Sequence, residues 1–200
     1  HIPGTAEAIL MSTVDQSGAR PPFVVGALAG VLAWLAGYAL TFLAVGTQVQ
    51  DSAAQRFIEA VQGEPATYEI VGWVFYNLHL VDTVFVDVPA VGRFTTNAIG
   101  GDGGFSTVLY LIPVGLLFAA GLAVARYRGV TSVGEGVVTG ATVVPGYLVL
   151  TVVGLVLFEV NVGGATARPE QFEAVVLAGL LFPAVFAGSG GALAGLTAGK

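Results

Sequence analysis

The chain has 200 residues, 55% of them hydrophobic and 10% charged, whereas a soluble domain carries roughly 25% charged residues. Its 7 basic and 13 acidic residues leave a net charge of −6, which argues against nucleic acid as a partner. There are no cysteines and two histidines, so disulfides, thiolate nucleophiles and cysteine metal sites are excluded, and neither a metal centre nor a cofactor is expected.

Met11 stands ahead of the polar run Ser12–Arg20, so His1–Leu10 are expected to be non-native within an N-terminal tail over 1–21. Four long apolar runs follow: Pro22–Gly46, Ser106–Ala125, Val133–Phe158 and Ala174–Ala198. Each reaches or exceeds the ~20 residues that cross about 30 Å of hydrocarbon. The first is too long for the apolar core of a secretion signal, roughly 7–15 residues. These runs predict an all-α fold: a polytopic transmembrane helix bundle of four spans in one domain over 22–199, with an outer insertion at 47–105.

Within the insertion, Ala54, Phe57, Ile58 and Val61 fall on one face of a short amphipathic helix over Asp51–Gln62, closed by Gly63-Glu64-Pro65. Tyr68–Val88 is a fifth apolar stretch. On a helix, Ile70, Val71, Val74, Leu78, Val81 and Phe85 gather on one side, and Glu69, Tyr76, Asn77, His79 and Thr83 lie towards the other. That split, with Trp73 and Tyr76 suited to headgroups, predicts an interfacial or re-entrant helix on the outer face; a fifth span is the alternative. Asn97–Gly104 reads as a flexible glycine-rich linker or turn.

Charge sets the orientation. Arg20, Arg126, Arg128 and Lys200 fall on one side of a four-span arrangement. Arg56, Arg93 and Arg168 share the other with ten acids: Asp51, Glu59, Glu64, Glu69, Asp82, Asp87, Asp102, Glu159, Glu170 and Glu173. The positive-inside rule places both termini in the cytoplasm and the acidic connections outside. Glu135 at the start of the third run suits a helix N-terminus.

The first and third runs share a pattern: Gly26 and Gly30 match Gly136 and Gly140, Gly37-Tyr38 matches Gly146-Tyr147, and Leu40-Thr41 matches Leu150-Thr151. Pro113 with Gly121, and Pro183 with Gly188 and Gly190, relate the second to the fourth. The pattern predicts two parallel-topology hairpins. Gly26/Gly30, Gly136/Gly140 and Gly191/Gly195/Gly199 each align small residues on one face, either for internal packing or for a homo-oligomer seam. Pro113, Pro145 and Pro183 are expected to kink the spans.

The most polar constellation is Glu69, Tyr76, His79 and Asp82. On one helix, Asp82 would lie one turn from His79 and orient its imidazole, which suits a proton relay or ligand site; a solvated helix face is the plainer account. No phosphate-binding loop, dinucleotide fingerprint or nucleophile motif is present, so an enzyme is not expected.

The acidic loops, one lysine against six arginines, and abundant Ala, Val and Gly accompany the string Gly72-Trp73-Val-Phe-Tyr76-Asn77-Leu-His79 and the later Leu109-Tyr110-Leu-Ile-Pro113. Together these resemble an uncharacterised haloarchaeal multi-pass family across most of Phe23–Gly199. The resemblance implies four spans and an archaeal plasma membrane, and assigns no activity or catalytic residue. Two functions stay open. One is a non-enzymatic membrane component or accessory subunit presenting an acidic outer segment to a membrane protein partner. The other is a small dimeric transporter or channel for an apolar or weakly polar solute, built around the proline-broken helices.

Overall fold

The computed structural model describes residues 22–198. The tail over 1–21, with Met11 and Arg20, lies outside the described residues, as do Gly199 and Lys200. Four helices are long and apolar enough to cross a membrane: Phe23–Gln50, Thr107–Arg128, Val133–Leu157 and Gln171–Thr197. They are called here the first to fourth rods.

The first rod is one helix, α1 (Pro22–Gln50). Ser52 then caps α2 (Ala53–Gln62), its hydroxyl accepting from the Gln55 N–H, and Gly63 ends it at φ 80. After α3 (Thr67–Asn77) come β1 (Thr83–Val88) and β2 (Gly92–Thr96). A 3-10 turn over Thr107–Tyr110 leads into α4 (Leu111–Arg128), so Pro113 lies in the first turn of α4, where a missing N–H breaks no bond within the helix. Gly129, at φ 66, ends α4 directly after Arg126 and Arg128, which face the negative end of the helix dipole.

The third rod is interrupted at its middle. α5 (Val133–Ala141) and α6 (Val144–Leu157) meet at Thr142-Val143, because Pro145 has no N–H to give the Ala141 carbonyl. Beside this break, Thr142 Oγ1 donates to Thr139 O at 2.5 Å. After β3 (Val160–Val162) and β4 (Ala165–Pro169), the fourth rod opens with a single turn and a π-helical stretch, Ala174–Leu181. The wider turns let the Phe182 N–H reach Leu177 O just before Pro183, near the start of α7 (Phe182–Thr197).

The two connections at one end of the rods join in an antiparallel sheet of order β2-β1-β4-β3. The all-α expectation is corrected by this sheet, and so is the reading of Tyr68–Val88 as one helix. Its helical part stops at Asn77, whose Nδ2 donates to Val81 O at 2.7 Å and so closes a tight turn in place of further helix. Leu80 takes φ 62 in that turn, and Val84, Phe85 and Val86 continue as strand. In one register row Phe94, Phe85, Ala167 and Val160 cross all four strands on one face. The Asn97–Gly104 stretch closes on itself, with Phe105 N–H donating to Ala98 O and Gly100 N–H to Phe105 O, each at 2.8 Å.

Away from this cap the rods meet backbone to backbone. A methyl on Gly136 would sit 2.1 Å from the Gly191 carbonyl oxygen, and one on Gly121 only 1.9 Å from that of Ala187. Gly26 and Gly30 press likewise on Thr142 and Val143, Gly140 on Ala187, and Gly195 on Ser132. In lipid, helices have no hydrophobic reason to associate, and close van der Waals approach of this kind would supply the attraction.

The first and third rods also use matching threonines alike. Thr41 donates to Gly37 O at 2.8 Å and Thr151 to Tyr147 O at 2.9 Å, both fully buried. The sheet does not follow the same relation. A two-fold axis taking β1 to β3 and β2 to β4 would turn the central β1–β4 pair into β3–β2, which are not neighbours.

Candidate functional site

The segment from α3 to β1 is a wedge between the rods and the sheet. Both of its faces are covered: Ile70 through His79 are all buried. Its polar side chains therefore find partners inside the protein rather than in solvent, which corrects the expectation of a solvated or interfacial face. The physical reason is that the sheet and α2 cover one side while the first, third and fourth rods cover the other.

On the rod side the packing is aromatic. Phe75 lies edge-on to Trp34 (5.2 Å between centroids) and against Gly37, where a methyl would come within 2.9 Å of its ring. Phe158 stacks on Tyr38 at 5.2 Å and fills the space left by Gly72. Such pairs contribute about 0.5–1.5 kcal/mol each beyond the area they bury. The Trp73 indole N–H donates to Phe158 O at 2.7 Å, and the Tyr76 hydroxyl donates to Thr151 O. Both bonds tie the wedge to the third rod. Burial drives the Tyr76 phenol pKa far above its ordinary value.

His79 sits at the end of the wedge, fully enclosed, between Phe75, Tyr147 and Phe182. Its Nδ1 lies 2.8 Å from Phe75 O. A carbonyl can only accept, so the proton is on Nδ1. Nε2 then accepts from the Tyr147 hydroxyl at 2.7 Å. Desolvation pushes the imidazole down to about 4, so it is neutral at pH 7. Both ring nitrogens are occupied, and His79 holds the wedge against the third rod as a neutral hydrogen-bonding group.

The remaining members of the sequence constellation are placed apart from His79. Asp82 lies beyond the turn, stapled to the start of the fourth rod: its N–H donates to Glu173 Oε2 at 2.9 Å, and its carbonyl accepts from the Glu170 N–H at 2.8 Å. Asn97 Nδ2 donates to Asp82 Oδ1 at 3.1 Å. Glu69 is half-buried near Tyr38, with Oε2 unpaired among the described residues. The structure thus joins Tyr76 and His79 on the third rod, and leaves Glu69 and Asp82 at separate places on the cap. The sequence reading did not assign Tyr147 and Thr151 as their partners. The repeated Gly-Tyr and Leu-Thr pairs were the available signal, since they marked the rod face on which the wedge rests.

Asn77 was also missed as a hub. Beyond its bond to Val81, its Oδ1 accepts from the Ala98 N–H at 3.0 Å, so one side chain fixes the wedge, the turn and the return loop. Among the described residues, no three His, Asp or Glu side chains converge as metal ligands would. The arrangement is chemically quiet and mechanically dense: neutral donors on carbonyls, with aromatic packing between them.

No curated protein and no solved structure matches the chain. A family model does match over residues 10–198, which takes in every rod, the wedge and the sheet, and the chain belongs to that family of unknown function, DUF7978.

Proposed function

We propose that the protein is a non-enzymatic multi-pass component of an archaeal plasma membrane, with both termini cytoplasmic, that presents its acidic cap to a protein partner outside. One observation carries this reading. Two connections far apart in the chain are built into a single sheet, which Asn77 ties to the wedge and which Asp82 and Trp73 help to bolt to the rods. A fixed platform of that kind suits recognition, because little order has to be gained on binding. Its exposed carboxylates, among them Glu64 and Asp87, favour a basic partner surface and keep the cap hydrated.

The breaks in the third and fourth rods favour a second reading, a small dimeric transporter or channel for an apolar or weakly polar solute. Phe75, Tyr76 and His79 fill the space between the rods beside those breaks, which supports the first reading over it. A photoreactive residue at Asp87, compared with one at Tyr127 on the opposite end, tests the proposal in native membranes. Adducts to another membrane protein are expected from Asp87 alone. An isolated monomer with no cap adduct, or solute flux in proteoliposomes, overturns it. Accessibility tags at Asn97 and Gly129 test the orientation, the first being reachable from outside.

A further inference from the structure

An apolar chamber of about 320 Å³ lies between α2 and the sheet. Phe57, Ile58 and Val61 form its roof, Phe85, Phe94 and Ala167 its floor, and Trp73 its back wall. The floor is the register row that crosses all four strands, and the bulge between Phe85 and Val88 turns Val88 onto it as well. A second space of about 200 Å³ shares Trp73 and Phe85 as walls and is lined further on by Val49 and Phe105. The roof is tied at both ends, by the Ser52 cap beside α1 and by Gln62 Nε2 donating to Asn161 O on β3.

The shape and chemistry of the chamber select its occupant. Nearly every side chain that lines the chamber is apolar, so an occupant finds almost no hydrogen-bond partner in its walls. An extended peptide would bury its amides against walls that are almost wholly apolar, at a cost of several kcal/mol for each unpaired group. Polar solutes fail for the same reason, and apolar cavities of this kind do not attract water. A hydrocarbon chain needs no hydrogen bonds. Its source is adjacent: α2 begins three residues after α1 ends, within roughly 11 Å of chain. Phe57 and Val61, exposed by 64% and 49%, edge the chamber with apolar surface that lipid covers better than water.

We infer that this chamber takes one hydrocarbon chain of a bilayer lipid from the leaflet next to the cap. The inference does not rest on the partner reading, because its readout involves no second protein. The test uses the full chain in phosphatidylcholine vesicles containing a phospholipid with a diazirine at one chain end. After photolysis, peptide mapping is expected to find adducts on Phe57, Val61 or Phe94. Ala165→Trp, which fills the chamber from β4, should lower those adducts at least fivefold and leave labelling of the exposed rod residue Leu43 unchanged. Ala54→Trp fills the same space from the roof, so a folding defect in one variant does not leave the question open. Chamber labelling unchanged in the folded variants, labelling confined to the rods, or a copy-to-copy crosslink through the chamber overturns the inference.

Discussion

The two ends of the bundle are packed by opposite means. At the end away from the cap, glycines let backbones touch, and the third and fourth rods approach until Gly136 and Gly191 face each other's carbonyls. At the cap end the rods do not meet this way, and a helical wedge of large aromatic residues stands between them. Small residues draw two helices together along a seam, while large ones hold three rods and a sheet at set distances. The first solution needs no polar group. The second carries the buried long-range hydrogen bonds of Trp73, Tyr76 and His79, because the wedge must satisfy its polar groups inside the protein.

If the wedge carries the cap end, Phe75→Ala should have the largest effect. Phe75 is fully buried against Gly37, Trp34, Tyr38 and His79. Removing its ring leaves a void worth about 3–5 kcal/mol of stability. Hydrogen exchange should rise first in β1 and β4, with α5 and α7 still protected. Uniform loss of protection along the chain would mean the two ends do not behave as separate packing regions.

Gly191→Ala probes the other solution. The added methyl would stand 2.0 Å from the Gly136 carbonyl oxygen, and backbone cannot swing aside as a side chain does. The expected loss is at the upper end of the roughly 1–3 kcal/mol typical of overpacking, read as a lower thermal midpoint in detergent. Gly188→Ala is the control on the same helix, where the nearest atom, on Val137, is 3.7 Å away. Equal midpoints for the two variants would remove the glycine seam from the account.

The two solutions were unequally legible in the sequence. The rods announced themselves through length and apolarity. The sheet was hidden because its central pair joins residues such as Phe85 and Ala167, whose partnership no local period records. The helical plot of Tyr68–Val88 failed at Asn77, a helix-ending residue whose side-chain bond to Val81 redirects the chain. The same plot misjudged polarity. Tyr76, Asn77 and His79 look hydrophilic in isolation, yet each is buried with a partner supplied from elsewhere in the fold. Grouping His79 with Asp82 assumed one helix, and the turn at Leu80 separates them.

The last comparison concerns His79, which is buried with Tyr76 and Tyr147 where the wedge meets the third rod. His79 is neutral in the fold, with its pKa down at about 4, and near 6.5 when unfolded. Between those values the unfolded chain binds a proton that the folded chain does not. Stability is therefore full above about pH 6.5 and falls as the pH drops towards 4. His79→Gln should flatten that part of the pH–stability curve. Tyr147→Phe tests the contact itself: it keeps the ring and deletes the donor to Nε2, leaving a buried acceptor unpaired at about 1–3 kcal/mol. Because the lost bond holds the wedge, the weakening should appear in β1 exchange before it appears at the glycine seam. A Tyr147→Phe protein with unchanged midpoint and unchanged β1 exchange would show that the aromatic packing holds the wedge without this bond.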